Sequence, residues 1–154
     1  MKSLVPEFEA LRARFPAGFT SSLVLPCLRR IQEERGFVAD ADIEELVAWL
    51  GVPRIQIEEA LSFYTQFRRR PIGRWHLQVC HNVSCSMRGA ETLLANLQRK
   101  LGIAPGETTP DGRCTLTTVE CLGSCGTAPA MMVNDRYVEN LTSQAVDDLL
   151  EELK

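Results

Sequence analysis

Four of the six cysteines in this chain are arranged as two closely spaced pairs: Cys80 with Cys85, and Cys121 with Cys125. Each pair follows a segment with the residue pattern of a β-strand, Trp75 to Val79 for the first and Thr115 to Val119 for the second. A helical segment separates the two strands, and a right-handed crossover of this kind makes strands parallel. The carboxyl ends of parallel strands share one edge of a sheet, so the order predicts that all four sulfurs meet there.

Four thiolates can hold either a zinc ion or an iron–sulfur cluster. Structural zinc sites most often use pairs with two intervening residues, whereas the pairs here are C-x4-C and C-x3-C. The wider, unequal spacing favours a [2Fe–2S] cluster, in which each iron takes two cysteine sulfurs. Zinc, a Cys/His mixture and a set of free thiols remain the alternatives.

A [2Fe–2S] cluster with four thiolates carries a net negative charge in both redox states, so it needs N–H donors around its sulfurs. Gly123, Ser124 and Gly126 surround Cys125 and predict a loop of the nest type. We also expect free N–H groups at the start of a helix that follows Cys85.

The remaining cysteines and the two histidines are not predicted to be ligands. Cys27 lies on an apolar helical stripe and Cys114 precedes the second strand, so both are interpreted as packing residues. His81 adjoins Cys80, but four cysteines already complete the site and Rieske-type ligation needs two histidines. His76 lies within the first strand, too far from the loop.

Composition excludes several classes of function. The chain has 154 residues and a formal net charge of −3, which argues against a nucleic-acid-binding protein. The basic run from Arg68 to Arg70 is interpreted as a solvated linker. We find no apolar stretch long enough to span a bilayer and no signal peptide, so we expect a cytoplasmic protein without direct membrane insertion. In a reducing compartment, six cysteines indicate metal or redox chemistry rather than disulfides.

Residues 1–70 are predicted to form a small helical bundle, because apolar residues recur there at helical spacing. Pro26 indicates that the second helix begins or bends near it, and Asp40 is the expected cap of the third. The four predicted helices are Pro6 to Arg14, Ser22 to Arg35, Asp40 to Gly51, and Pro53 to Tyr64.

Residues 71–154 are predicted to form an α/β domain, because Pro71 and Gly73 interrupt the helical pattern and strands follow. After the first strand we expect a helix from Met87 to Leu101. A hairpin turns at Asn134 and Asp135, and Thr142 or Ser143 caps a final helix. The fold class is therefore α+β overall, with an N-terminal helical bundle followed by a domain close to the thioredoxin pattern.

Several motifs resemble the small thioredoxin-like [2Fe–2S] subunit of respiratory NADH:quinone oxidoreductase, complex I. The resemblance covers nearly the whole chain. The cysteine motifs are specific in combination, whereas the helical motif alone is weak. The matching segments are Val79 to Cys85 with Arg88 to Ala90, Thr109 to Gly112, Val119 to Cys125 with Ala128 and Pro129, and, in the helical part, Val52, Pro53, Ser62 to Tyr64 and Phe67.

The resemblance implies one [2Fe–2S] cluster and a partner. In this family the subunit docks on a flavoprotein subunit, which binds FMN and oxidises NADH. It implies the four cysteines as ligands, no catalytic residue, and a docking role for residues 1–70. The complex places such a subunit on the cytoplasmic side of the inner membrane. NAD-linked hydrogenases and formate dehydrogenases use similar subunits. The short N-terminus suits a bacterial member, and Cys114 departs from the family pattern without touching the ligands.

Two other classes of function compete with electron transfer. A structural zinc module would use the same four cysteines without redox chemistry. A thiol oxidoreductase would need a reactive C-x-x-C pair at a helix start, and the sequence has none. The sequence also lacks a G-x-G-x-x-G loop and a P-loop, so FMN and NADH are expected only on the partner.

Overall fold

The computed structural model describes residues 4–153. The chain divides into two compact units, one extending to Pro71 and the other beginning at Ile72. Helices alone build the first unit and a mixture of helices and strands builds the second, which confirms the α+β class. Within residues 4–153, none of the helices has both the length and the apolar character that crossing a membrane requires.

The first unit packs four α-helices around one apolar core, and a 3₁₀ turn at Thr20–Leu23 precedes the second of them. Pro26 lies in the first turn of α2, where its missing N–H costs no helical hydrogen bond, so the helix begins near it rather than bending. The helices are α1 Val5–Arg12, α2 Val24–Arg35, α3 Asp40–Leu50 and α4 Arg54–Phe63.

The start of α3 differs from the prediction. Asp40 is the first helical residue rather than the cap, and the N-cap position belongs to Ala39. The side chain of Asp42 reaches back and accepts a hydrogen bond of 3.0 Å from the Ala39 N–H. Asp42 is buried, and it forms an ion pair with Arg35.

The basic run after α4 is tied to the first unit by ion pairs. Arg69 contacts Glu58 at 2.6 Å and Asp40 at 2.5 Å. Arg54 joins the same group of charges through Asp40 and Glu58. Arg69 thus neutralises carboxylates of its own unit.

The second unit is built on a four-stranded sheet in the order β2-β1-β3-β4. β1 and β2 are parallel, with Trp75 opposite Cys114 and Cys80 opposite Val119. β3 pairs antiparallel with β1 and with β4. The strands are β1 Trp75–Cys80, β2 Cys114–Val119, β3 Met131–Val133 and β4 Arg136–Val138.

The predicted helix from Met87 to Leu101 is in fact two helices, α5 Val83–Met87 and α6 Ala90–Leu101. Gly89 separates them in the left-handed region, with φ of +91°. The final helix, α7 Ser143–Glu152, is capped by Thr142, whose hydroxyl accepts a hydrogen bond from the Ala145 N–H. The core of this unit includes Leu93 and Leu97 of α6, together with residues of the sheet and of α7.

Candidate metal centre

The first cysteine pair is buried at the carboxyl end of β1. Cys80 is the last residue of that strand and is 2% exposed, and Cys85 lies inside α5 and is 3% exposed. The thiol of Cys80 and the backbone of Ala130 both lie close enough to Cys85 to shift its pKa. Burial raises the pKa of Cys85, and the contact with Cys80 adds to that effect.

The second cysteine pair is exposed, in the loop that follows β2. Cys125 opens a short 3₁₀ turn, Cys125–Thr127, and its Sγ lies 3.3 Å from the Sγ of Cys121. The Gly123 N–H points at the sulfur of Cys121 from 3.4 Å. This N–H and the thiol of Cys125 lower the pKa of Cys121, whereas the pKa of Cys125 is raised by its neighbour Cys121.

The structure brings the two pairs together at the carboxyl edge of the parallel strands. Cys125 interacts electrostatically with Cys80 and Cys85. The hydroxyl of Ser84, in α5, donates a hydrogen bond to Cys125 and links the two halves of the site. The role of these four cysteines as ligands stays a prediction.

This arrangement fits a [2Fe–2S] cluster. The sulfurs form two pairs, and a two-iron cluster takes one pair on each iron. The N–H of Gly123 points at a sulfur, as the charge of such a cluster requires.

The predicted N–H donors at the start of the helix after Cys85 stay a prediction, because that helix, α6, begins at Ala90. Cys85 itself lies within α5, where the N–H groups that follow it bond to backbone carbonyls. The N–H of Arg88 bonds to the Cys85 carbonyl at 3.1 Å, and the N–H of Gly89 bonds to the Ser86 carbonyl at 3.0 Å. Of the predicted loop donors, Gly123 makes the contact with sulfur, with φ of +83°.

Cys27 and Cys114 are both buried away from the two pairs, Cys27 in the core of the first unit and Cys114 at the start of β2. Burial raises the pKa of Cys27 to about 12. His76 contacts the hydroxyl of Thr117 at 2.9 Å within the sheet. His81 lies 3.6 Å from a carboxylate oxygen of Glu120.

Sequence reasoning missed three contacts that hold the loops of the site. The Asn82 amide donates to Glu120 at 2.9 Å, and the Tyr137 hydroxyl donates to the Leu122 carbonyl at 3.0 Å. The hydroxyl of Thr127 donates to the carboxylate of Glu139 at 2.5 Å. Asn82 also caps α5, which its residue type before a helix could have indicated. The other contacts join residues far apart in sequence, which leaves no local signal.

A thioredoxin-like sheet with two cysteine pairs beside its parallel strands is the arrangement of a thioredoxin-like [2Fe–2S] ferredoxin. The chain belongs to the thioredoxin-like [2Fe–2S] ferredoxin family, whose sequence profile matches residues 8–154. This membership confirms the resemblance and the [2Fe–2S] cofactor predicted from the sequence.

Two curated relatives cover most of the chain. A subunit of the NADH-quinone oxidoreductase of Rhizobium meliloti is 48% identical over 148 residues, which are 96% of this chain and 87% of that protein. A subunit of the NADH-quinone oxidoreductase of Thermus thermophilus is 42% identical over 92% of this chain and 79% of that protein. Both are named as subunits of an oxidoreductase, in agreement with the sequence interpretation.

A solved structure extends the comparison. A chain of an NAD⁺-reducing [NiFe]-hydrogenase in the air-oxidised state matches 82% of this chain with a TM-score of 0.70 and 26% identity. This chain spans 22% of the hydrogenase chain that it matches.

Proposed function

We propose that this chain is the [2Fe–2S] electron-transfer subunit of an NADH-oxidising complex. It exchanges single electrons with the FMN of a partner flavoprotein subunit, and Cys80, Cys85, Cys121 and Cys125 hold its cluster. Relatives named as subunits of NADH-quinone oxidoreductase support the respiratory enzyme as the parent complex. In that complex the chain lies on the cytoplasmic side of the inner membrane.

The main support for this proposal is the difference in solvent exposure between the two cysteine pairs. Cys80 and Cys85 are almost fully buried, whereas Cys121 and Cys125 are exposed. A cluster held by these residues would have one pair of ligands anchored in the fold and the other pair at the surface. Electron exchange needs a short path to the donor, and the exposed pair provides one.

The surface beside the exposed edge suits a protein partner. Val83 and Met87 lie one turn apart on α5, and they are 65% and 85% exposed. Tyr137 adds an exposed ring above the loop of the second pair. We propose that these residues contact the flavoprotein. Within residues 1–70, exposed apolar residues on α4, Ile55 and Phe63, are separate candidates for docking.

The partner is required by electron counting. NADH gives two electrons as a hydride, and a bound [2Fe–2S] cluster supplies a one-electron redox centre. A flavin on the other subunit must therefore split the pair. All-cysteine ligation keeps the potential low, on the order of −400 mV as in plant-type ferredoxins, which suits exchange with NADH and flavin.

Reduction with and without the flavoprotein tests the proposal. The isolated chain should show a [2Fe–2S] EPR signal after dithionite and no oxidation of NADH. Adding the FMN-containing subunit from the same host should make the cluster reducible by NADH. Rapid reduction of the chain alone by NADH would contradict the need for a partner, and an EPR-silent, iron-replete sample would contradict the cluster.

The hydrogenase match supports a second parent complex, an NAD-linked hydrogenase, and a formate dehydrogenase is the third. Purifying the chain with its companion subunits from the native host separates the three. A structural zinc module is the alternative of a different class. It would give a colourless protein with one zinc in place of two irons and two sulfides.

A further inference from the structure

We propose that Glu139 is a positioning residue for the cluster, which fixes the loop of Cys125 and lowers the reduction potential through its negative charge. The inference rests on the proposed function, because it takes Cys125 as a ligand. Glu139 follows β4 directly and is distant in sequence from all four cysteines.

The carboxylate of Glu139 is bound to the loop of Cys125. It accepts a hydrogen bond of 2.5 Å from the Thr127 hydroxyl, and the nearby Ser124 hydroxyl helps to lower its pKa. Thr127 also closes the turn, because its N–H donates to the Ser124 carbonyl at 3.1 Å. The carboxylate thus holds the loop that carries the cysteine.

The backbone beside Glu139 reinforces this contact. The Asn140 N–H donates to the Thr127 carbonyl at 2.7 Å. On the other side, Tyr137 bonds to Leu122 in the same loop. The end of β4 therefore holds the segment from Leu122 to Thr127, which carries Cys125, by a charged contact and by neutral ones.

The charge of Glu139 acts on the redox equilibrium. The two hydroxyl donors lower the pKa of Glu139, so the side chain is ionised at neutral pH. Reduction adds a negative charge to a cluster that is already negative. A carboxylate fixed beside the loop opposes that step and holds the potential down.

Glu120 is another carboxylate near the pairs, and its contacts differ. Its side chain is 76% exposed and is directed to His81 and Asn82. Glu139 instead has neutral hydroxyl partners, so its charge is not compensated within these contacts.

The Glu139→Gln variant isolates the charge, since its amide oxygen still accepts from Thr127. We expect intact iron and sulfide and a midpoint potential shifted upward, so that the ratio of reduced to oxidised cluster rises several-fold at a fixed ambient potential. The shift should shrink as salt is added, because Glu139 is exposed. An intact cluster with an unchanged potential at low salt would overturn the proposal.

Asp111→Asn is the control for distance, because Asp111 is also an exposed carboxylate that accepts from a threonine, Thr109, at 2.6 Å, although it is paired with Arg113 as well. It precedes β2, at the opposite end of a strand of six residues, roughly 17 Å from the cysteine edge. We expect no change in potential. An equal shift in both variants would show a net-charge effect and overturn the assignment to Glu139.

If the Glu139→Gln variant cannot be purified with its cluster, Thr127→Val provides a second test of the proposal. Losing the hydroxyl frees the carboxylate to move into solvent, so the potential should rise by less than in the glutamine variant. An unchanged potential in Thr127→Val would then overturn the proposal. Retention of the cluster in Cys125→Ala would contradict the ligand set itself, which is a separate outcome.

Discussion

Cys27 and Cys80 are almost equally buried, at 0% and 2% exposed, yet only Cys80 lies beside another thiol. Burial alone therefore does not separate packing cysteines from candidate ligands. A candidate ligand lies beside a second sulfur and N–H donors, whereas the core contacts of Cys27 are with apolar side chains.

Removing one thiolate from the proposed site should destroy it. Alanine at position 80, 85, 121 or 125 leaves an iron with an incomplete set of ligands, so we expect loss of visible absorption and of bound iron and sulfide. Iron and sulfide analysis of each purified variant measures this. Full retention in any one variant would remove that residue from the ligand set.

Cys27→Ala should leave the cluster intact and cost about 1 kcal/mol of unfolding free energy through lost packing. Because burial raises the pKa of Cys27 from 9.0 to about 12, the wild-type stability gained from keeping this thiol neutral is complete below pH 9 and declines as pH rises towards 12. Urea unfolding across that range should show this decline in the wild type and a smaller one in the variant.

Cys114→Ala is the companion variant, since Cys114 is the other buried cysteine outside the pairs. Its visible spectrum and iron content should match the wild type. A bleached spectrum in either variant would contradict the assignment of the site.

At the scale of the element, Asp42 anchors the start of α3. Asp42→Asn weakens both the hydrogen bond from Ala39 and the ion pair with Arg35 within a buried setting, so we expect a loss of about 2 kcal/mol in unfolding free energy. Asp40→Asn is the control. It alters exposed ion pairs only and should cost less than about 1 kcal/mol. Equal losses would contradict the anchoring role of Asp42.

Helices and strands were predicted well where the hydrophobic period of the sequence agrees with the burial of the residues in the structure. The two parallel strands and their cysteine ends follow from alternation and from the crossover rule. The break at Gly89 did not follow, because both flanking segments have helical patterns and the left-handed backbone of Gly89 is visible only in the structure. The role of Asp42 at the start of α3 did not follow either, because its contact with the Ala39 N–H depends on the fold of the helix start.

The residues of the site were also predicted only in part. Its cysteines have a distinctive spacing, whereas Glu139 is an ordinary surface residue whose importance comes from its contact with Thr127. Such contacts form only after β4 has paired with β3, so no window of sequence contains them.

At the scale of the whole molecule, we propose that residues 1–70 and 71–154 are separate domains. Phe67 is buried and Arg69 is paired within the first unit, while the Gly73 N–H bonds to the Thr115 hydroxyl in the second. The backbone from Arg70 to Ile72 lies between these attachments. Trypsin should therefore cut the folded protein first at the Arg69–Arg70 bond.

Mass spectrometry of the early digest measures this cleavage, and the fragment that begins at Arg70 should keep the visible spectrum of the cluster. Early cuts spread over both units would contradict the proposed boundary. Loss of colour at the moment of cleavage would show that the second domain depends on the first.

The position of β1 in the middle of the sheet also bears on the order in which the protein is made. β1 can pair with β2 only after Cys114, the partner of Trp75, has been synthesised. It can pair with β3 only after Val133, the partner of Leu77, has been synthesised. Contacts so distant along the chain form slowly, whereas the helices of the first unit use near neighbours. On a ribosome that adds about 5–20 residues each second, the helical unit can fold while β1 is still unpaired. All four candidate ligands are present only once Cys125 has emerged, so we expect iron to be delivered after the helical unit has folded.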